Sequence, residues 1–326
     1  MKKIPNIALL LFLFIRILAN AQDFKKVDVL VKNYPKSFSS PDDLAIKIND
    51  DFTRDDEKAR AIYTWIAFNV AYDVKTYFAP AGNTQRTGFS YRTQSEKEQK
   101  ERAFEYEFAR KTLRSKLAVC QGYAMLFKDV CLRLGISCEL VSGTSKTKQT
   151  NIGKMPIASD HAWNAVRIDG KWQLIDVTWA AGYVDENTRE FSFDFSGGYF
   201  FTDPEVFFLN HFPDDKKWLL IDKTEKDFAD LPLYSRGYST APYTIVAPEM
   251  GIITAIKDNL IPFEILDLPI ATKVGYLFSS EGKLTSANLT RNGNATTFNV
   301  LLGKRSRGFL TIYVNNRSIA TYKLGK

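Results

Sequence analysis

Two apolar runs joined by Asp169-Gly170 constrain the fold of this chain more than any other feature of its sequence. The runs are HAWNAVRI, residues 161–168, and KWQLIDVTW, residues 171–179. Asp-Gly between such runs is the strongest short-range signal for a β-hairpin, because both residues accept the positive φ that a tight turn needs. A two-residue loop pairs Ile168 with Lys171 and fixes the register of both strands.

The predicted register brings a histidine and an aspartate together. Because paired residue numbers add up to 339, Asp176 faces Trp163, and His161 faces Thr178 by the same rule. His161 and Asp176 are then diagonal neighbours on one face, roughly 7–8 Å apart at Cα and within side-chain reach. A four-residue loop keeps this register, whereas a three-residue loop would put the two side chains on opposite faces. Taken singly, His161 also fits a half-buried core position, and Asp176 fits a strand end bound to backbone.

A cysteine stands where a turn becomes a helix in LAVCQGYAMLFKDVCLRLG, residues 117–135. The apolar spacing predicts a helix over Cys120–Leu134, with Gly135 as the residue that ends it. The positive end of a helix dipole favours the thiolate, although most free cysteines are small buried hydrophobes. A thiolate nucleophile needs an imidazole as base and a third group that fixes its tautomer. Cys120, His161 and Asp176 are therefore predicted to form a catalytic triad.

The remaining cysteines leave one question open and argue against a metal site. Three cysteines is an odd number, so at least one is unpaired within the chain. Cys131 and Cys138 form either a disulfide or a pair of buried thiols, and the second alternative is favoured. With no C-x-x-C pair and two histidines in the whole chain, we expect no metal and no cofactor.

The N-terminus is typical of a secretory signal peptide. A basic start precedes the apolar run Ile7–Ile15, and Ala19-Asn20-Ala21 has the form of a cleavage site. We predict a signal peptide over residues 1–21, cleaved after Ala21, and a secreted or periplasmic protein. An uncleaved membrane anchor is the alternative, but Arg16 interrupts the run and the run is shorter than a span needs.

The charge of the mature chain excludes one class of partner. Cleavage leaves 41 basic and 37 acidic residues, which lowers the net charge from +7 to +4. The chain has no long basic run of the kind that binds nucleic acid. We therefore expect no nucleic-acid partner, and no membrane contact after cleavage.

Two domains follow the predicted signal peptide. Helical patterns at 42–51, 54–70 and 95–115 precede the cysteine helix and the hairpin, and place an α+β catalytic domain at 22–235. From about Tyr243 onward short β-type runs alternate with turns such as RNGN. Residues 240–326 are therefore predicted to form a small all-β sandwich of the immunoglobulin-like sort.

Three stretches of the sequence resemble the transglutaminase-like superfamily. They are VCQGYAMLFKDVCLRLGISCELVSG, DHAWNAVRIDGKWQLIDVTWAAG and YFFTDPEVFFLNHFP. Within the superfamily they are most similar to the branch of kyphoscoliosis-peptidase and cytokinesis-protein type domains. The helix EKARAIYTWIAFNVAYD is also similar to that branch, and the resemblance covers about Asp42–Leu220.

The resemblance implies a papain-like fold, in which the helix of the nucleophile packs against an antiparallel sheet. It places the family's cysteine, histidine and aspartate on Cys120, His161 and Asp176. The backbone N–H of Cys120 is the natural first donor to an oxyanion. Trp65 and Gln121 are candidates for the second donor, because relatives use a tryptophan or glutamine side chain there. His211, in LNHFP, is expected to be structural, packing near Phe207, Phe208 and Phe212.

Two classes of function remain open at this point. The first is an exported cysteine hydrolase or acyl transferase that cleaves peptide or glutamine-type amides through a thioester. Hydrolysis is favoured over cross-linking because the sequence shows no calcium-site motif. The alternative is a non-catalytic binding or scaffold protein that keeps the papain-like fold. In either case the partner is a peptide or protein, and the C-terminal domain is a candidate site for a cell-envelope or protein partner.

Overall fold

A computed structural model describes residues 24–79, 90–254 and 258–325 of the chain. The predicted signal peptide, residues 1–21, lies outside the described residues, so cleavage and export stay predictions. Among the helices of the described ranges, none is both long and apolar enough to cross a membrane.

Helices dominate the first part of the chain, in agreement with the helical patterns in the sequence. Within the described residues the α-helices are α1 (Lys25–Lys32), α2 (Pro41–Asp51), α3 (Asp55–Asn69), α4 (Val74–Tyr77), α5 (Gln94–Ser115), α6 (Cys120–Arg133), α7 (Val177–Ala181), α8 (Pro204–Phe208) and α9 (Glu225–Asp230). The helices predicted at 42–51, 54–70, 95–115 and 120–134 begin and end within one residue of those positions.

The strands form separate sheets in the two parts of the chain. In order they are β1 (Ala71–Tyr72), β2 (Leu117–Ala118), β3 (Cys138–Ser145), β4 (His161–Ile168), β5 (Lys171–Ile175), β6 (Gly182–Asp185), β7 (Glu190–Phe193), β8 (Phe200–Thr202), β9 (His211–Pro213), β10 (Leu233–Tyr234), β11 (Thr244–Ala247), β12 (Ile252–Ile253), β13 (Leu260–Leu266), β14 (Val274–Phe278), β15 (Thr285–Ser286), β16 (Thr290–Asn292), β17 (Ala295–Leu301), β18 (Phe309–Val314) and β19 (Arg317–Leu324). Strands β8, β5, β4, β3 and β9 form, in this spatial order, one antiparallel sheet. Helices of the first part pack with this sheet around a shared core.

The central hairpin of this sheet has the predicted register. Ile168 pairs with Lys171, and paired residue numbers add up to 339 along the whole β4–β5 ladder. Asp169 and Gly170 have φ of 48° and 78°. These are the two positive values that a tight hairpin turn requires, so the turn residues set the register.

The second strand of the hairpin is shorter than the sequence predicted. Strand β5 ends at Ile175, and Asp176 is the N-cap of helix α7. Its Oδ1 accepts a hydrogen bond from the backbone N–H of Trp179 at 3.0 Å. The prediction of a strand continuing to Trp179 is wrong, because this side-chain acceptor favours a helix start over further sheet pairing.

Asn164 fastens helix α6 to the sheet. Its Nδ2 donates to the carbonyl of Ala124 in α6 at 3.0 Å and to that of Glu139 in β3 at 3.2 Å. Because Asn164 is completely buried, loss of these bonds would leave two carbonyls without water to replace them. On its other side α6 lies against α5, where a Cβ on Gly122 would stand 2.7 Å from Thr112 Oγ1. The same Cβ would stand 2.6 Å from Cβ of Ala118 in β2, so Gly122 lets both α5 and β2 approach the start of α6.

The C-terminal part consists of two sheets that share one core. One sheet has the order β10-β19-β18-β14-β15 with β12 beside β19, and the other has the order β11-β13-β17-β16. Buried side chains from both sheets, among them Phe263, Phe298 and Tyr322, form a single hydrophobic cluster. The predicted domain limits at residues 235 and 240 stay predictions.

Cys131 and Cys138 are buried free thiols. Burial raises the pKa of the Cys131 thiol well above its ordinary value, and a hydrogen bond with Cys138 adds to this rise. The structure therefore has the pair of buried thiols that the sequence favoured over a disulfide. Thiols in such surroundings are poorly reactive.

We predict that Gly143→Ala lowers the free energy of unfolding by about 1–3 kcal/mol. A Cβ at this position of β3 would lie 2.2 Å from the carbonyl oxygen of Phe212 in β9 and 2.5 Å from the ring of Trp163. Gly237→Ala is the matched control, because nothing lies within 4 Å of its added Cβ. Urea unfolding measures both variants. Equal unfolding midpoints would contradict the close packing of β9 on β3.

Candidate active site

Cys120 is the first residue of helix α6, as the sequence predicted. The residue before it, Val119, is extended and carries no side-chain oxygen that could cap the helix. The N–H groups of Cys120 and Gln121 belong to the first turn, where a helix offers no carbonyl acceptors of its own. The Cys120 side chain is half-buried, so the thiol lies at an electropositive helix end that solvent and ligands can reach.

His161 and Asp176 meet as the hairpin register predicted. The Nε2 of His161 lies 2.7 Å from Oδ2 of Asp176. His161 is 8% exposed and Asp176 is completely buried. We assign the proton on Nε2 as donated to the carboxylate. The Cys120 thiol lies close enough to the same ring to raise its pKa. The structure therefore brings His161 and Asp176 into direct contact and places the Cys120 thiol near the same imidazole.

The environment of His161 favours its charged form. Burial of the ring lowers the pKa, but the charge and hydrogen bond of Asp176, together with the Cys120 thiol, outweigh burial and raise the pKa of His161 to about 10. For Asp176 burial raises the pKa, and the contacts with His161 and then His211 outweigh it and hold the pKa well below its usual range. An imidazolium beside a carboxylate is the arrangement that stabilises a neighbouring thiolate.

His211 is a member of this cluster that the sequence analysis missed. It lies at the start of β9 and is stacked on the ring of Phe207 at 4.0 Å, which confirms the expected packing. In addition its Nε2 lies 3.0 Å from Oδ2 of Asp176, the oxygen that also contacts His161. The signal available in the sequence was the scarcity of histidine, because the second of two histidines lies in the motif LNHFP.

Tyr72 is a second residue that the sequence analysis did not single out. Strands β1 and β2 pair in parallel, which sets Tyr72 beside Ala118, two residues before Cys120. Burial raises the pKa of the Tyr72 phenol, and the negative charge that Cys120 can carry raises it further. The phenol therefore lies near the thiol and keeps its proton, as a hydrogen-bond donor must.

The two predicted oxyanion donors lie in different surroundings. Trp65 is completely buried in the core, and its indole N–H donates to the carbonyl of Pro35 at 2.9 Å. The indole N–H is the single hydrogen-bond donor of the tryptophan side chain. Because it is bound to Pro35, Trp65 has no free donor for the oxyanion of a substrate. Gln121 follows Cys120 on α6 and is exposed, so it keeps its place as a candidate.

Among the described residues, one group of potential metal ligands has its ligand atoms within 4.8 Å of one another. The group consists of His161, Asp176 and His211. Ligands about 2.0–2.2 Å from a tetrahedral zinc ion stand roughly 3.3 Å apart. The observed separations of 2.7 and 3.0 Å are those of hydrogen bonds instead. We therefore interpret these residues as hydrogen-bond partners.

A cleft of about 590 Å³ opens beside His161. This volume lies in the range of ordinary ligand sites. Its walls are rich in aromatic side chains, namely Tyr72, Tyr77, Trp179, Tyr183, Phe191 and Tyr234. Three basic residues, Lys146, Lys148 and Arg236, also line it.

Hydrogen bonds to backbone carbonyls hold the side chain of Lys146 in place. Its ammonium group donates to the carbonyls of Phe228, Ala229 and Leu231, near the end of α9. Burial lowers the pKa of Lys146 to about 7, although the negative charge of Asp230 acts to raise it. The lysine thus holds the wall of the cleft in place.

Sequence comparison identifies a family that this part of the chain resembles. A model of the transglutaminase-like superfamily matches residues 42–177, a range that contains Cys120, His161 and Asp176. Over residues 42–177 the chain is therefore similar to the transglutaminase-like superfamily.

Comparison with individual proteins shows which type of transglutaminase-like domain this chain resembles. Human kyphoscoliosis peptidase is 34% identical over 205 residues, which cover 61% of this chain and 27% of the relative. The mouse protein of the same name is 36% identical over 170 residues, or 51% of this chain and 22% of the relative. The resemblance to the kyphoscoliosis-peptidase type is thereby confirmed, although the chain spans about a quarter of the length of these curated relatives.

Solved structures give a looser similarity. A crystal structure of a transglutaminase aligns with 19% identity and a TM-score of 0.29, covering 57% of this chain and 38% of that one. A candidate cysteine protease from Cytophaga hutchinsonii aligns with 20% identity and a TM-score of 0.27, covering 47% and 42%.

We predict that the two histidine rings of this chain titrate far apart. His161 should stay doubly protonated up to about pH 10, whereas His211, whose pKa burial lowers, should be neutral at pH 7. Asp176→Asn removes the charge that opposes burial and should lower the pKa of His161. Nitrogen-15 NMR of the imidazole rings resolves both residues, since the sequence has two histidines.

We also predict that the free energy of unfolding depends on the protonation of His161. The folded-state pKa of about 10 lies above the ordinary value of 6.5. His161 therefore contributes stability that is fully present below pH 6.5 and is lost as the pH rises through 10. Between these limits the wild type should lose more free energy of unfolding than Asp176→Asn. An equal loss in both proteins would argue against the charged His161–Asp176 pair.

Proposed function

We propose that this chain is a cysteine-dependent acyl-transfer enzyme that cleaves peptide or glutamine-type amides. The observation that carries the proposal is the pairing of His161, which lines the cleft, with Asp176, close to the Cys120 thiol. His161 is bound to a completely buried carboxylate at 2.7 Å, and its ring is also a partner of a thiol at the start of a helix. A nucleophile, a base and an orienting acid in contact are the requirement for thiol catalysis.

The reaction follows from these contacts. The thiolate of Cys120 attacks the amide carbonyl, and the C–N bond breaks when His161 gives its proton to the leaving amine. The product is a thioester on Cys120. An incoming water then gives a proton to His161 and attacks the thioester. The C–S bond breaks, which releases a carboxylic acid and restores the Cys120 thiolate beside the protonated His161. Asp176 holds the His161 ring in the tautomer that both steps need.

Hydrolysis is the proposed fate of the thioester. Two of the relatives are named peptidases, and the sequence shows no calcium-site motif. A lysine amine in place of water would give a cross-link. The masses of products formed with and without a lysine-containing acceptor peptide distinguish the two fates.

The second donor to the oxyanion is assigned in this proposal to Tyr72. The backbone N–H of Cys120 supplies the first donor, from the helix turn without acceptors. Tyr72 lines the cleft, lies near the thiol and has a phenol whose pKa is raised, first by burial. Its O–H is thus available to the negative oxygen that forms when the thiolate attacks a carbonyl.

The rest of the chain is assigned a supporting role. Residues 240–326 are proposed to be an immunoglobulin-like domain that holds a cell-envelope or protein partner. Two sheets around one core support this, and their strands pair antiparallel apart from the short parallel pair of β12 and β19. Export after cleavage at Ala21 is proposed from the N-terminal sequence.

We predict that iodoacetamide alkylates Cys120 readily at pH 6, where a free thiol with a pKa of about 8.5 is almost fully protonated. His161→Ala should slow this reaction about tenfold or more at pH 6, because the partner of the thiolate is lost. Cys120→Ser is the control for Cys131 and Cys138, which are buried. A wild-type rate that titrates like a free thiol and ignores His161→Ala would sink the enzyme proposal in favour of the binding or scaffold protein.

We predict that Tyr72→Phe slows acylation of Cys120 by p-nitrophenyl acetate about 100-fold, the usual cost of one oxyanion donor. Alkylation by iodoacetamide should stay unchanged, because that reaction forms no oxyanion. Tyr77→Phe is the matched control, since Tyr77 lines the same cleft and contacts the Tyr72 ring. If Tyr72→Phe and Tyr77→Phe acylate at the same rate, Tyr72 is not the donor.

A further inference from the structure

His211 is held on every side by contacts that fix the orientation of its ring. It is 2% exposed and is stacked on Phe207 at 4.0 Å. The rings of Trp179 and Trp163 lie at 4.5 and 5.2 Å. Its strand pairs with β3, in which Ser145 is the partner of His211. The ring therefore has little freedom to turn, and each nitrogen faces one fixed neighbour.

The two nitrogens of His211 both face acceptors. Nε2 lies 3.0 Å from the carboxylate of Asp176, and Nδ1 lies 3.2 Å from the carbonyl oxygen of Phe207. Burial lowers the pKa of His211, so near neutral pH the ring carries one proton. We assign that proton to Nε2, because a carboxylate is a stronger acceptor than a carbonyl. His211 is then a neutral donor to Asp176.

Asp176 thus receives hydrogen bonds from three directions. His161 and His211 donate to Oδ2, and the backbone N–H of Trp179 donates to Oδ1. His161 exchanges its proton during the proposed reaction, so its bond to Asp176 changes strength at each step. The bonds from His211 and Trp179 come from groups that keep their protons. They hold the carboxylate in place while His161 gains and loses charge.

The two imidazoles also differ in charge for a reason that the contacts make clear. His161 lies between a carboxylate and a thiol, and both stabilise its cationic form. His211 lies against one carboxylate and a set of aromatic rings, and a charge on His161 opposes a second charge beside it. Two groups of the same chemical type can differ in protonation state because their environments differ. In an active site such a difference indicates that the two groups have different roles.

We propose that His211 is a positioning residue, which donates from Nε2 to Asp176 and holds this carboxylate where it orients His161 against Cys120. This role rests on the proposed function, since it presupposes an active thiol–imidazole pair. It goes beyond a packing role, because it depends on one nitrogen of the ring. A packing role would depend on ring size alone.

Three substitutions separate these roles. His211→Phe keeps an aromatic ring and removes both nitrogens. His211→Gln places an amide donor near the position of Nε2, and His211→Asn places one near Nδ1, next to the carbonyl of Phe207. The readout is the rate of iodoacetamide alkylation of Cys120 from pH 5 to pH 10 in the full chain. Thermal unfolding of each variant reports separately on packing.

We predict that His211→Phe and His211→Asn move the alkylation profile upward by about one pH unit, which is about tenfold in rate at pH 6. His211→Gln should stay within about threefold of the wild type, because it restores the bond to Asp176. This rescue is expected even if all three variants unfold at lower temperature.

The outcomes separate this inference from the proposed function. If all three variants keep the wild-type profile and differ in unfolding temperature alone, His211 is a packing residue and the inference is overturned. If His211→Asn is rescued and His211→Gln is not, the contact with Phe207 matters and the inference is again wrong. If the wild-type profile itself equals that of His161→Ala, the proposed function fails and the positioning role fails with it.

Discussion

A buried carboxylate is the constraint around which the first part of this protein is arranged. Asp176 is completely buried, and a buried charge is tolerated when it is paired and hydrogen-bonded on both oxygens. The chain meets this requirement with three donors from different elements, namely the imidazole at the start of β4, the imidazole at the start of β9 and the first turn of α7. Any one of these elements, moved by an ångström, would leave the charge short of a partner. The carboxylate therefore joins the elements as well as orienting a ring.

The sheet makes this convergence possible. Strand β3 lies between β4 and β9, so the strands that begin with His161 and His211 are neighbours of the same strand. Gly143 of β3 pairs with His161 on one side and with Pro213 on the other, and its missing side chain lets β9 come close. Asn164 then ties helix α6 to the sheet. This bond holds the layer that carries the thiol against the layer that carries the imidazole.

The chemistry of the cluster arises from differences in environment between residues of the same type. The carboxylate and the thiol raise the pKa of His161, whereas burial among aromatic rings lowers that of His211. Burial also distinguishes the cysteines, since Cys131 and Cys138 are buried and Cys120 is half-buried at the start of helix α6. One reactive thiol, one charged ring and one neutral ring follow from position in the fold. Residue type alone would not distinguish them.

The sequence by itself determined what is local in this protein. Asp169-Gly170 fixed the hairpin register, helical spacing fixed α2, α3, α5 and α6, and the family resemblance identified Cys120, His161 and Asp176. The tertiary structure decided that Asp176 ends its strand and caps a helix, that His211 reaches it from 35 residues away, and that the indole of Trp65 is bound to Pro35 in the core. Turn and helix signals depend on neighbouring residues, so they can be recognised in a short stretch of sequence. Contacts between distant residues depend on how layers pack, and a short stretch does not specify that packing.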